Sequence, residues 1–149
     1  MKHSQVRVGA RAIIVQDDKL LLVNAYPAGK SDLWCAPGGG IERGTSLPEN
    51  LMREVHEETG LTVHVGAPCL INEFHDPISG FHQIDVFFRC TVNDGKLDPD
   101  WLDPEGIVTE RRFFTREETK SVRFKPDSLV RVAWSETPLS YDLLEEIET

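Results

Sequence analysis

Apolar and small residues at Val6, Val8, Ala10, Ala12 and Ile14 alternate with Arg7, Gly9, Arg11, Ile13 and Val15. This period of two predicts a strand. Asp17-Asp18 reads as a turn and Leu20 to Val23 as a second, fully apolar strand, so residues 6–23 are expected to form a hairpin. Asn24 to Asp32 is a polar loop, and Leu33 to Gly40 is an apolar stub running into a glycine-rich turn. The period then changes. Leu47, Leu51 and Val55 stand at i, i+4 and i+8, which gives one buried helical stripe. Ser46 with Glu49 three residues on has the pattern of a capping box, Pro48 is tolerable in a first turn, and Gly60 is a C-terminal stop. Together they predict a helix over 46–59.

Beyond it, Leu61 to Val65 and Cys69 to Phe74 read as two strands, and Ile84 to Val92 alternates clearly as another. Asn93-Asp94-Gly95 is a turn, Asp98 to Gly106 an Asp/Pro-rich irregular loop around Trp101, and Arg111 to Phe114 a short strand. Thr115 with Glu118 repeats the capping pattern ahead of a brief helix. Asp127 to Trp134 and the acidic stretch Tyr141 to Ile147 read as further helices. Strands occur both in hairpins and around helices. The expected fold class is therefore α/β or α+β, with a mixed sheet and helices packed on its faces.

Length fits a single domain spanning 1–149. A hydrophobic content of 40% and a charged content of 28% describe an ordinary soluble chain. No apolar run approaches the ~20 residues of a membrane helix, and Met1 to Gln5 lack the apolar segment of a secretory signal. Cys35, Cys69 and Cys90 are odd in number and scattered, which is expected of reduced thiols in a cytoplasmic protein and not of a zinc site. The net charge of −9 argues against a nucleic-acid partner and leaves room for a small phosphorylated substrate if a metal ion supplies positive charge.

The chemistry concentrates between Gly38 and Gly60. Glu54, Glu57 and Glu58 fall at i, i+3 and i+4, neighbours on one arc of the helix and beside its apolar stripe. Carboxylates so placed repel unless a divalent cation sits among them, and magnesium takes oxygen ligands of this kind together with substrate phosphates. Such an ion would neutralise a phosphoanhydride and acidify a bound water, while a carboxylate not fully used as a ligand takes the proton. The loop is not a P-loop, because no Gly-Lys-Ser/Thr follows it.

From Gly39 to Arg53-Glu54-Val55-His56-Glu57-Glu58-Thr59-Gly60-Leu61, with Trp34 and Pro37-Gly38 ahead of it, the run resembles the Nudix box of the MutT-like hydrolases. The resemblance implies an α/β/α sandwich and hydrolysis of a nucleoside diphosphate linked to another moiety, with Mg2+ or Mn2+ as cofactor. It implies a metal site of Glu54, Glu57, Glu58 and the Gly38 carbonyl, with Arg53 beside it in the catalytic set. One position departs: Thr45 stands where the box has its first glutamate, the usual partner of Arg53. Glu49, Glu57 and Glu42 are within reach of Arg53 instead. Thr45 is thus expected to weaken support of the site without abolishing metal binding. A nucleotide-sensing domain without turnover is the alternative function.

Other residues are ambiguous on sequence. Arg7 and Arg11 share a strand face and fit either a substrate phosphate or a plain charged surface. His75 and His82 are expected to face each other across a hairpin. Trp34, Phe74, Phe81 and Trp101 fit core or base stacking. Glu105, Glu110, Glu117 and Glu118 are each candidates for an extra carboxylate. The 98–106 loop reads as a lid or as a contact in a homodimer.

Overall fold

The computed structural model describes residues 5–149. The expectation made for Met1 to Gln5 therefore falls, from Met1 to Ser4, outside the described residues. Strand β1 (Arg7–Gln16) turns through Asp17 and Asp18, both with positive φ (52° and 60°), into β2 (Lys19–Asn24). Such a turn matches the twist of a tight hairpin, and Gln16 pairs with Lys19 as expected. Next come β3 (Trp34–Cys35) and β4 (Gly38–Gly40), then helix α1 (Leu47–Thr59), β5 (Thr62–His75), β6 (His82–Asp94) and β7 (Arg111–Thr115). A 3₁₀ turn at Glu118–Ser121, helix α2 (Leu129–Ala133), β8 (Ser140–Tyr141) and β9 (Glu145–Glu146) follow.

The sheet is mixed. β1 runs parallel to β6 from Arg7↔Gln83 to Ile14↔Cys90, and its other edge pairs antiparallel with β4 at Gly9 to Arg11. β2 pairs with β1, β3 and β7, and β5 pairs with β6, β8 and β9. Alternation sends side chains to two cores. Ile13, Leu20, Leu22, Phe87 and Phe114 pack with Leu129 and Val132 of α2 on one face. Ala12, Ile14, Leu21 and Phe88 pack with Leu51 and Val55 of α1 on the other. This is the α/β/α layering the resemblance implied, and it explains why Leu20 to Leu22 are apolar without a break: both faces of β2 are covered.

Helix α1 starts and stops as its sequence dictates. Ser46 Oγ accepts from the Glu49 N–H at 3.2 Å, and Gly60, at φ 77°, donates its N–H to the His56 carbonyl at 2.8 Å. The Thr115/Glu118 box also forms reciprocally, although it caps only the 3₁₀ turn.

Three expectations are corrected. Gly38–Gly40 is a strand and not a turn, because the edge of β1 supplies backbone partners. The two strands expected at 61–65 and 69–74 are one strand, β5, with register shifts between Val65 and Leu70. The helix expected over 141–147 is absent: β8 and β9 lie parallel along β5, whose open edge satisfies their backbone groups better than a short acidic helix would. Among the described residues, no helix is long and apolar enough to cross a membrane.

Candidate functional site

The glycine strand β4 lies against the helix that carries the glutamates. Gly38 has φ 143°, and a Cβ there would collide with the Ala10 carbonyl and the Arg11 backbone. Gly39 is packed against Glu54, whose carboxylate would stand 3.2 Å from a Cβ. Only glycine admits this approach of strand to carboxylate. Gly38→Ala is expected to cost about 3 kcal/mol or more of stability, since backbone strain and a backbone clash combine. Urea unfolding checks this, and a midpoint close to wild type would contradict it.

Asn50, fully buried in the second turn of α1, latches the intervening loop. Its Nδ2 donates to the Gly40 carbonyl at 3.1 Å, and its Oδ1 accepts from the Glu42 N–H at 3.1 Å and from Arg53 at 3.0 Å. Sequence reasoning passed over Asn50, because a polar residue early in a helix reads as solvent-facing.

Arg53 is held by carboxylates on three sides. It donates to both oxygens of Glu57 at 3.1 Å and lies 3.3 Å from Glu42 and 3.4 Å from Glu54. Two of the partners foreseen for it, Glu57 and Glu42, are in place; Glu49 does not pair with it in the structure.

The three glutamates divide. Glu54 and Glu57 converge with Glu105, one carboxylate oxygen from each lying within 4.8 Å of the others. Glu58 instead turns inward, 7% exposed, and accepts from the Gly38 N–H at 3.3 Å. Burial pushes the Glu58 carboxyl up to about 8, against the opposing pull of Arg11 and the Gly38 N–H. Burial also raises Glu54, with Arg53 opposing and Glu105 and Glu57 adding to the rise. The Gly38 carbonyl accepts from the Arg11 guanidinium at 3.2 Å, and Arg11 also bonds the Ala36 carbonyl at 3.1 Å and pairs with Asp85 at 3.4 Å.

Glu105 reaches the site because its loop is docked. Trp101 donates its Nε1–H to the Glu57 carbonyl at 2.8 Å and packs edge-on to His56 and over Gly60. Arg111 donates to the carbonyls of Glu58 at 2.7 Å and Trp101 at 3.1 Å. The Asp103 carboxylate gathers the N–H groups of Glu105, Ile107 and Val108. The 98–106 loop, expected as a lid or a homodimer contact, is hydrogen-bonded to α1 through Trp101 and lines the site through Asp103 and Glu105. Among the four downstream glutamates, Glu105 alone joins the cluster among the described residues; Glu117 and Glu118 instead pair with Lys120 and Arg112. His75 and His82 do face each other, with ring centroids 6.0 Å apart. Trp34 packs on Phe114 at the edge of the core beside α2.

A mixed sheet between two helices, with a glycine strand pressed against a helix bearing clustered carboxylates, defines a fold built around an acidic cleft. Residues 5–134 match the NUDIX domain family model, and the chain belongs to that family. A Bacillus subtilis protein, YjhB, provisionally named an ADP-ribose pyrophosphatase, is 26% identical over 93% of this chain and 62% of its own length. Diphosphoinositol polyphosphate phosphohydrolase 3-alpha of Mus musculus is 29% identical over 89% of this chain and 71% of its own. Thus the chain spans somewhat under two thirds of the first relative and somewhat more of the second. Among solved structures, a NUDIX hydrolase from Nitrosomonas europaea superposes with a TM-score of 0.71 at 27% identity, covering 86% of each chain. A UDP-X diphosphatase superposes at 0.72 with 22% identity, covering 94% of this chain and 68% of that one, a likeness of fold alone.

Proposed function

We propose that the chain hydrolyses a phosphoanhydride bond in a nucleoside diphosphate linked to another moiety, with Mg2+ or Mn2+ bound by Glu54, Glu57 and Glu105 and supported by Glu58 and the Gly38 carbonyl. The observation that carries this reading is the convergence of the Glu54, Glu57 and Glu105 oxygens within 4.8 Å. Their chemistry fits a hard divalent cation: the donors are all oxygen, and crowding with burial leaves Glu54 short of positive charge. When bound, the ion supplies neutralisation of the diphosphate and a lowered pKa for water.

The chain's own residues supply the rest. Glu54, with its raised carboxyl, accepts the proton of the attacking water. Arg53 fixes the Glu57 carboxylate through both oxygens. Arg11 orients the Gly38 carbonyl, and Trp101 with Arg111 fastens the C-terminal end of α1.

The sensing alternative drew on Thr45. Arg53 is engaged by Glu42, Glu54 and Glu57 without a glutamate at 45. Thr45→Glu is therefore expected to change kcat less than about threefold, in line with the small worth of one added exposed ion pair; steady-state assays of both proteins test it.

The relatives' names span ADP-ribose, diphosphoinositol polyphosphates and UDP-linked compounds. The deciding experiment incubates the protein with ADP-ribose, nucleotide sugars, nucleoside triphosphates and dinucleoside polyphosphates, with Mg2+ or with EDTA, and follows products chromatographically. Metal-dependent cleavage is expected. Nucleotide binding without cleavage across the panel would move the assignment to a sensing domain.

A further inference from the structure

A second cavity of about 300 Å3 lies beside the carboxylate cleft, and Arg7, Arg11 and Gly40 line both. Its size is at the lower end of the ~300–1,000 Å3 typical of small-molecule sites. We propose that this cavity seats the second moiety of the substrate, and that its charge pattern admits an uncharged ring-bearing group (a nucleoside or a sugar) and rejects a polyphosphorylated ring. The inference rests on the pyrophosphohydrolase reading above, which supplies the diphosphate end.

The cavity has an aromatic wall and a polar floor. Phe74 of β5 and Phe81, which leads into β6, stand with ring centroids 6.0 Å apart and tilted by 37°. An apolar wall of this kind offers stacking surface to a flat or puckered ring. Gln83 and Asp85 form the floor, 4% and 3% exposed, with Gln83 Nε2 donating to Asp85 Oδ1 at 2.7 Å. Polar groups fixed among buried neighbours suit hydroxyl or amide partners.

The charges decide what the ring carries. Four carboxylates line the cavity (Asp85, Glu145, Glu146 and Glu148) against the three cations Arg7, Arg11 and Lys125. Arg11 is engaged with Asp85, and Lys125 with Asp127 at 3.1 Å and Glu148 at 3.0 Å. Among the described residues, Arg7 forms no ion pair with a carboxylate. Its guanidinium lies 5.6 Å from the Phe81 ring centroid, and a Cβ on Gly40 would meet it at 2.5 Å. Arg7 thus stands where the two spaces join. One unneutralised cation at the junction suits the diphosphate, and no further one waits inside for phosphates on the second moiety. The acidic wall is not loose: β9 pairs Phe74 with Glu145 and His75 with Glu146, and the Tyr26 hydroxyl donates to the Glu148 carbonyl at 3.0 Å. Several phosphate groups pressed against Glu145 and Glu146, which form no ion pair among the described residues, would meet like charge, which is how a site turns away a wrong partner.

The test compares kcat/KM, with Mg2+, for ADP-ribose, a UDP-sugar, a diphosphoinositol pentakisphosphate and methyl diphosphate, which has no ring. The wild type is expected to favour the nucleoside compounds over the inositol compound by at least on the order of 100-fold. Phe81→Ala should lower the nucleoside values about tenfold or more and methyl diphosphate by far less, since Arg7 over the ring is the only part of the diphosphate contact it touches. Glu145→Lys with Glu146→Lys should narrow the nucleoside-to-inositol ratio by at least about tenfold. Calorimetry in EDTA reads the cavity without turnover: ADP should bind, inositol hexakisphosphate should not, and Phe81→Ala should weaken ADP. A wild-type preference for the inositol compound, or a Phe81→Ala loss that extends equally to methyl diphosphate, overturns the inference. Absence of all turnover with ADP binding lost in Phe81→Ala would instead overturn the pyrophosphohydrolase reading and support the cavity assignment.

Discussion

Glu54→Gln is expected to lower kcat by about 10²–10⁴ with KM nearly unchanged, the span typical of removing a positioned general base. The amide keeps the shape that Gly39 packs against, so the cleft is preserved. It loses the ability to accept a proton and removes one of three convergent carboxylates. Folding should not suffer, because burial already disfavours the ionised form of Glu54. Steady-state kinetics beside thermal unfolding make the check: activity within tenfold of wild type would remove Glu54 from the reaction, and a collapsed fold would show that the residue is structural.

The second large effect is on stability in the absence of metal. Glu58 has its carboxyl raised from 4.5 to about 8 by burial. A folded state that holds its proton more tightly than the unfolded chain loses stability as pH rises between those two values. For a shift of that size the loss is up to about 5 kcal/mol between pH 4.5 and 8. Glu54, raised in the same direction, adds to the trend. The metal-free protein is therefore expected to melt progressively lower from pH 5 to pH 8. Glu58→Gln should flatten that dependence and raise Tm at pH 8 by about 10 °C, at the usual few degrees per kcal/mol for a chain of this size. Thermal scans in EDTA at three pH values decide it. Parallel curves for the two proteins would show that the buried carboxylate is compensated in some other way.

What could be read in advance follows from how local each feature is. Helix α1 was legible because its cap, stripe and stop lie within fifteen or so residues of one another, as such signals do. The hairpin at Asp17-Asp18 and the facing His75 and His82 are equally local. Glu54 and Glu57 were legible because helical spacing alone makes them neighbours. Glu105 was legible only as one of four candidates for an extra carboxylate, since nothing in an Asp/Pro-rich loop indicates where it docks; the anchors are Trp101 on Gly60 and Arg111 on the Glu58 carbonyl. The opposed direction of Glu58 was equally hidden, because it depends on the Gly38 N–H of another element. The C-terminal stretch misled for a related reason: its acidic composition suggests a helix, and the open edge of β5 overrides that preference.

The indole of Trp101 makes the molecule its own optical instrument. It hangs on the backbone carbonyl of Glu57 and covers Gly60, while the chain running on from it carries Glu105. Any cation drawn among Glu54, Glu57 and Glu105 ties together the two segments between which this ring is wedged. With Trp34 and Trp134 lying on the opposite side of the sheet near α2, a change in emission on titrating Mn2+ into a Trp34→Phe, Trp134→Phe protein reports loading of the cleft with no substrate present.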